Sequence, residues 1–387
     1  KICKAMLLTS VIFNLGMLAF FKYTDFFIGA INSVSGSAIP LLNLTLPLGI
    51  SFYTFQTMSY TIDVYWDKVK AEKNIIDFGA FVVLFPQLIA GPIVRFTDIN
   101  RELKERTVDL GQIESGVKTF IMGMASKVLI ANNIGLLWAE AQSTGFGNLS
   151  SPMAWLAVWA FAFQLYFDFS GYSLMAIGLG RMLGFSFPQN FNYPFVSRSL
   201  TEFWRRWHMT LGSWFREYVY FPLGGSRKGT KRTVFNLFLV WTATGFWHGA
   251  QWNYLFWGFF LFFVMIIEKY FILGFLENHP KLSLVYIIIV LQFNWMIFGV
   301  NDLGGLWQLI IRTFSFTWGV DWIYALRNYG IVFILAAFFS VPLIKPYFEK
   351  FEAKHRWGSL AVYTLLAVIS VAYLVDSTYN PFLYFRF

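Results

Sequence analysis

His208 and His248 each follow a tryptophan in a chain otherwise suited to lipid. The local sequences are Phe203-Trp204-Arg205-Arg206-Trp207-His208 and Thr244-Gly245-Phe246-Trp247-His248-Gly249. An ionisable side chain at membrane depth is costly, which makes it a candidate for function. Imidazole is also the side chain whose ordinary titration lies near neutral pH, and this suits it to proton transfer. The structural alternative is a histidine that caps a helix or hydrogen-bonds within a core. The apolar setting favours function for His248 and weighs the two readings equally for His208. A third polar group, Asp168, lies in the apolar run Gln164-Leu165-Tyr166-Phe167-Asp168-Phe169-Ser170-Gly171-Tyr172. It should pair with a cation or line a wet cavity, and the simplest expectation is an ion pair with Arg205 or Arg206.

A neutral imidazole can accept a proton from a hydroxyl, the requirement for acyl transfer from a thioester to an alcohol. Small residues beside His248, Gly245 and Gly249, leave room for a helix or an acyl chain to approach it. Thr244 lies one turn earlier and could fix a ring tautomer, although a helix-internal threonine usually bonds its own backbone. A bis-histidine haem is a second chemistry, since iron accepts imidazole on both faces. A proton-coupled transporter or channel, with Asp168 as relay, is a third. Metal-dependent desaturation would need many histidines. The chain has four, of which His279 and His355 sit in hydrophilic loops, so no metal site is expected.

Positioning such groups falls to a membrane scaffold. The chain is 57% hydrophobic and 13% charged, with 16 Trp, 19 Tyr and 46 Phe, against about 25% charged residues in ordinary soluble proteins. The net charge of +9 needs no nucleic acid, because Lys and Arg accumulate in cytoplasmic loops and meet anionic lipid headgroups. Cys3 is the single cysteine and cannot form an internal disulfide. The chain starts at Lys1 rather than Met, the expected sign of a fragment or processed form. Ala5–Phe21 reads as a span and not as a cleavable signal, because Lys22 stands where a small-residue cleavage site belongs.

About ten segments have the apolar length of a membrane helix. They are Ala5–Phe21, Leu46–Ile62, Phe78–Val94, Val117–Trp138, Trp155–Gly180, Val234–Trp247, Trp252–Ile267, Leu282–Val300, Tyr329–Ile344 and Ser359–Val375. Several are broken by Pro and Gly or carry polar groups, as Phe85-Pro86-Gln87 and Lys118 and Lys127 illustrate. Such breaks survive in a bilayer only where protein or a wet cavity satisfies the backbone. The expected fold is therefore an all-α, polytopic integral membrane bundle with re-entrant and amphipathic helices about a polar interior. Residues 1–387 form one domain.

Charge suggests orientation. Arg95 to Arg106, Arg181 to Arg232 and Lys345 to Arg356 mark cytoplasmic loops, while Glu140–Ser151, without Lys or Arg, marks an outer one. Lys68, Lys70 and Lys73 break this pattern if Phe78–Val94 crosses fully, so either that segment is re-entrant or the rule fails there. Residues 181–232 form a cytoplasmic or re-entrant amphipathic region. Ser199-Leu200-Thr201-Glu202 has capping-box form. From there to Tyr220 a continuous helix is expected, with Trp204, His208, Leu211 and Phe215 on one inward face. The loop Pro222–Arg232 resembles a phosphate loop only superficially, since no strand precedes it and Gly-Thr-Lys is the wrong order. A basic turn is the simpler reading.

The long motifs add a resemblance. Phe191-Asn192-Tyr193-Pro194-Phe195, Phe203 to His208, Pro222-Leu223-Gly224-Gly225 and Phe246-Trp247-His248-Gly249 are similar to motifs of the membrane-bound O-acyltransferase family. So are Pro47 to Gln56, Gly91-Pro92-Ile93-Val94-Arg95 and Asn380-Pro381-Phe382-Leu383-Tyr384-Phe385, above all in its alginate- and peptidoglycan-acetylating branch. The resemblance runs from near Asn14 to the end of the chain. It implies a ring of tilted helices around a central tunnel, with His248 as the active-site histidine and His208 as the second. It implies a cytoplasmic thioester donor, acetyl-CoA or another acyl thioester, with no bound cofactor. His248 would be general base or transient acyl acceptor, and His208 would orient the donor or stabilise charge on the thioester carbonyl. Trp204, Trp207, Trp247, Asn253 and Asp168, with Arg205, Arg206 and Arg227 for the donor's phosphates, are the candidates for substrate or donor binding.

The implied setting is a bacterial plasma membrane, multi-pass. The resemblance further implies that an extracytoplasmic partner of the SGNH-hydrolase type, or a fused domain, completes O-acetylation of a cell-envelope polysaccharide. Two departures stand out. Relatives usually start with further spans, so the first helices are expected to be missing, and Gly171-Tyr172-Ser173-Leu174 replaces a common Gly-Tyr-Ser-Asp. The branch that transfers D-alanine to teichoic acid is the nearest sibling.

Overall fold

The computed structural model describes residues 2–88 and 91–376. The motif at 380–385 thus lies outside the described residues, as do Ile89 and Ala90 of the third candidate span. In chain order the helices are α1 (Ile2–Ser35), α2 (Ile50–Tyr65), α3 (Ile75–Val82), α4 (Phe96–Lys104), α5 (Leu110–Ala125) and α6 (Asn132–Thr144). There follow α7 (Ser151–Met182), α8 (Leu200–Arg206), α9 (Met209–Phe215), α10 (Thr230–His248), α11 (Trp252–Ile267) and α12 (Leu273–Asn278). The last are α13 (Pro280–Gly299), α14 (Leu303–Phe314), α15 (Asp321–Phe339), α16 (Lys345–Lys354) and α17 (Arg356–Asp376). π-Helical turns carry α5 into α6, extend α9 to Tyr220 and join α11 to α12. No strand occurs among the described residues, as the all-α expectation requires.

Six of the described helices are long and apolar enough to cross a membrane: α1, α5 through α6, α11 through α12, α13, α15 and α17. That is fewer than the ten candidate segments. The chief loss is Phe78–Val94, whose helix is the end of the eight-residue α3, about 12 Å long, before the chain turns at Pro86. A different role falls to α7. Of its 32 residues 21 are buried, which marks a core helix rather than a lipid-facing one. Glycines make this packing possible. Gly116 and Gly123 of α5 lie against Gly178 and Gly171 of α7, where added Cβ atoms would overlap the opposing backbone. Without side chains at the crossing the helices approach closely, the usual packing solution in lipid.

Ion pairs bear on the lysine-rich stretch at 68–73. Lys68 Nζ is 3.5 Å from Asp63 and 3.7 Å from Glu217, and Arg95 lies 2.7 Å from the same Glu217. Lys104 is 2.7 Å from Glu72, and its hydrogen bond holds the Glu72 carboxyl below the ordinary range. The chain on either side of Phe78–Val94 is therefore tied to one carboxylate of the region 181–232. Lys68 before the segment and Arg95 after it thus lie beside the same carboxylate, the arrangement a re-entrant segment requires. Lys118, in the middle of α5, is 2.7 Å from Glu352, which ties the third basic loop to α5.

Candidate active site

His248 is the last residue of α10. Its position is set by the helix crossing beneath it. A Cβ on Gly245 would lie 2.5 Å from the Tyr254 carbonyl oxygen, and one on Gly249 would overlap the Tyr254 ring. The small residues beside His248 thus admit α11, and that space is not free for an acyl chain. Thr244 donates to the Val240 carbonyl at 2.8 Å, the helix-internal bond typical of threonine.

The last carbonyls of α10 lack intrahelical partners, and α1 supplies them. Lys22 Nζ donates to the carbonyl oxygens of Trp247 at 2.7 Å and His248 at 3.0 Å, and the Tyr23 hydroxyl donates to that of Phe246. A lysine here also complements the helix dipole. Lys22→Met should cost about 1–3 kcal/mol, the usual penalty for stranding buried carbonyls. Thermal melting in detergent would read this, with Lys22→Arg recovering part of the loss. Unchanged melting would mean that the cap is not needed.

His208 occupies a break instead of the middle of a helix. Arg206 ends α8, Met209 begins α9, and His208 between them has φ 43° and ψ 54°, left-handed backbone. The continuous helix from Ser199 to Tyr220 is thus corrected to two short helices with a hinge. The hinge is held by the preceding loop, since Asn192 N–H donates to the Arg206 carbonyl and Met209 N–H to the Asn190 carbonyl. The left-handed residue costs about 1–2 kcal/mol relative to a helical one. In return the imidazole points into the core, 2% exposed. The N-terminus of α8 is fixed as firmly. Ser199 accepts from Glu202 N–H, while the buried Glu268 carboxylate accepts from the N–H groups of Leu200 and Thr201 and from the hydroxyls of Thr201 and Tyr286.

Both imidazoles pack on the Trp247 indole, with ring centroids 5.1 Å away for His248 and 6.1 Å for His208. Phe169 meets His208 edge-on at 4.7 Å and also lines a void beside His248. That void is closed by Trp204, Trp207, Trp257, Trp295 and Phe298 and has a volume of about 10 Å³, room for about one water. An acetyl group entering it must displace the surrounding rings. A column of stacked rings leads away from His248: Trp247, Phe55, Trp214, Tyr218 and Trp66, with successive centroids 3.8–5.7 Å apart. It ends at an open cleft of about 610 Å³ that Trp66, Lys68, Arg216 and Phe221 line.

The other sequence candidates divide. Trp204, Trp207 and Trp247 join the two histidines. Asn253 is buried, and its amide donates to the Phe298 carbonyl at 3.2 Å, near the end of α13. Arg206 is tied to Glu202 at 2.9 Å, and Arg205 is exposed. Arg227 lies in the turn before α10, at the opposite end of that 19-residue helix from His248, a length of about 28 Å. Asp168 is buried but pairs with Lys127, not with Arg205 or Arg206. Among the described residues no group of three or more His, Cys, Asp or Glu side chains converges as a metal site.

Sequence reasoning missed Lys22, Asn190, Lys127 and Glu268. Lys22 was weighed only as an obstacle to signal cleavage, and the motif Phe191–Phe195 starts one residue after Asn190. The available signal was a polar residue at the end of an apolar segment for Lys22 and Glu268 and inside one for Lys127. What it lacked was a partner, which lies 225 residues away for Lys22 and 41 for Lys127.

Comparison with known proteins agrees with this geometry. The sequence model of the membrane-bound O-acyltransferase family matches residues 70–301. A probable alginate O-acetylase of Pseudomonas putida is 37% identical over 414 residues, covering 98% of this chain and 84% of the relative. That of Pseudomonas aeruginosa is 41% identical over 81% of this chain and 61% of its own length. A peptidoglycan O-acetyltransferase of Helicobacter pylori is 38% identical over 65% of this chain and 53% of its own. His208, His248 and the ring-lined void beside His248 all lie within the matched region. This chain belongs to the membrane-bound O-acyltransferase family and is a membrane O-acyltransferase.

Proposed function

We propose that the chain moves an acetyl group from a cytoplasmic thioester, acetyl-CoA, through a bacterial plasma membrane for O-acetylation of a cell-envelope polysaccharide. The observation that carries this reading is the pair of buried imidazoles packed on one indole beside an apolar void. A neutral imidazole there can take the proton of an attacking hydroxyl, and water, which would hydrolyse the thioester, is largely excluded. His248 acts on the reacting atoms as general base or transient acyl acceptor. The names of the relatives favour acetyl as the group moved and a polysaccharide or peptidoglycan as its destination.

The donor is a substrate, and the protein carries no resident cofactor. Arg227 and the cleft at Lys68 and Arg216 both lie far from His248 along the fold, so a donor touching either needs a long arm. Delivery to the polymer passes through an extracytoplasmic partner of the SGNH-hydrolase type.

The test supplies membrane vesicles and polymer with acetyl-labelled acetyl-CoA or with a D-alanyl carrier-protein thioester. Base-labile label on polymer or protein from acetyl-CoA alone is the expected result. Label from the D-alanyl donor alone would replace acetyl with D-alanine. Label that crosses the bilayer without becoming covalently attached would make the protein a transporter.

A further inference from the structure

The hydrogen bonds around His208 fix which of its ring nitrogens carries the proton. Asn190, 1% exposed, is the hub. Its Oδ1 is 2.9 Å from His208 Nδ1 and 2.8 Å from the Thr210 hydroxyl, and the Thr210 backbone N–H also points to it at 3.4 Å. Its Nδ2 donates to Ser173 Oγ at 3.0 Å. A backbone N–H can only donate, so the atom facing Thr210 is the amide oxygen. The Thr210 hydroxyl accepts from Ile93 N–H at 3.0 Å, which directs its own proton to Asn190. An amide oxygen only accepts, so His208 Nδ1 must be the donor. The other nitrogen, Nε2, is buried and has no hydrogen-bond partner among the described residues.

We infer that Asn190 is a positioning residue that holds His208 as the Nδ1–H tautomer, leaving Nε2 as a proton acceptor facing the apolar core. The inference rests on the proposed acyl transfer and deepens it. The neutral ring has no N–H left for a thioester carbonyl, so His208 takes up a proton and does not donate to the developing oxyanion. When the acceptor's hydroxyl oxygen bonds to the acyl carbon and the C–S bond breaks, His248 takes the hydroxyl proton as general base, and His208 Nε2 receives that proton from it and returns it to the departing thiolate. Nδ1–H stays on Asn190 throughout. Imidazole orientation by a fixed partner on the far nitrogen is a general device for setting the tautomer. Here the partner is a neutral amide, itself held by α7 through Ser173 and by Thr210, whose hydroxyl accepts from Ile93 N–H. The same loop sets the left-handed backbone at His208, so ring direction and tautomer are determined together.

The direct test is nitrogen NMR of detergent-solubilised protein labelled with ¹⁵N-histidine, which has four histidines to resolve, with His208→Asn assigning the resonance. Wild type should show protonated Nδ1 and bare Nε2 at His208. Asn190→Ala should lose that signature, whereas Asn190→Asp, which keeps an acceptor oxygen, should retain it. In the labelling assay Asn190→Ala should fall by at least about 10²-fold, the lower end of what a positioned base contributes, with Asn190→Asp recovering part of the rate. Protonated Nε2 in wild type would overturn the inference whether or not acyl transfer is seen. So would an Asn190→Ala variant with unchanged tautomer and rate. If wild type transfers no label, the proposed function fails, and the tautomer spectrum alone still decides the role of Asn190.

Discussion

Acyl transfer by His248→Ala should fall about 10²–10⁴-fold, the range that a positioned general base contributes, while the protein stays folded in the membrane. The ring is 5% exposed and lies edge-on to Trp257 and Phe298, with centroids 5.0 and 5.3 Å away. Its removal enlarges an existing void without stranding a charge, and α10 keeps its cap because Lys22 bonds the backbone and not the imidazole. Chemistry and stability therefore separate at this position. The comparison is initial rates of labelled ester formation for wild type and variant, with melting temperature as the control for folding. A variant with most of its activity would remove His248 from the reacting atoms.

Asp168→Leu should destabilise the protein by about 3–5 kcal/mol, because it leaves the partly buried Lys127 ammonium without its counter-charge. The side chains are 4% and 14% exposed, and the pair joins α7 to the π-helical turn between α5 and α6. Lys127→Met should cost a similar amount. The double variant should recover most of it, because removing two mutually compensating charges also removes their desolvation cost. Melting curves of the three variants in detergent measure the coupling. Equal losses in the singles, adding in the double, would show that the two groups do not depend on each other. Arg205→Ala, at an exposed position, should change stability by no more than about 0.5 kcal/mol.

Much of the scaffold was legible in composition and apolar run length. Few charges and many aromatics imply a membrane bundle because only helices satisfy their own backbone in lipid. Apolar length alone did not separate spans that face lipid from α7, which faces protein, since both surroundings select the same side chains. The lysines at 68–73 resisted interpretation for a related reason. Lys68 lies beside Glu217, which no local pattern connects to it.

The site shows the same division. Two histidines beside tryptophans in an apolar setting could be read directly, since their chemistry and the cost of burying them are properties of the residue types. Helical spacing put His208 on the inward face but implied an unbroken helix. Its actual backbone is imposed by the loop at 190–192, a contact that periodicity cannot register. The cap from Lys22, the pairing of Asp168 with Lys127 and the tautomer of His208 likewise belong to the tertiary structure. By itself the sequence determined the membrane fold class and the identity of the two imidazoles, because hydropathy and side-chain chemistry are local. Partner, direction and protonation at those groups were decided only by folding, because each depends on hydrogen bonds and charges from chain segments remote in sequence.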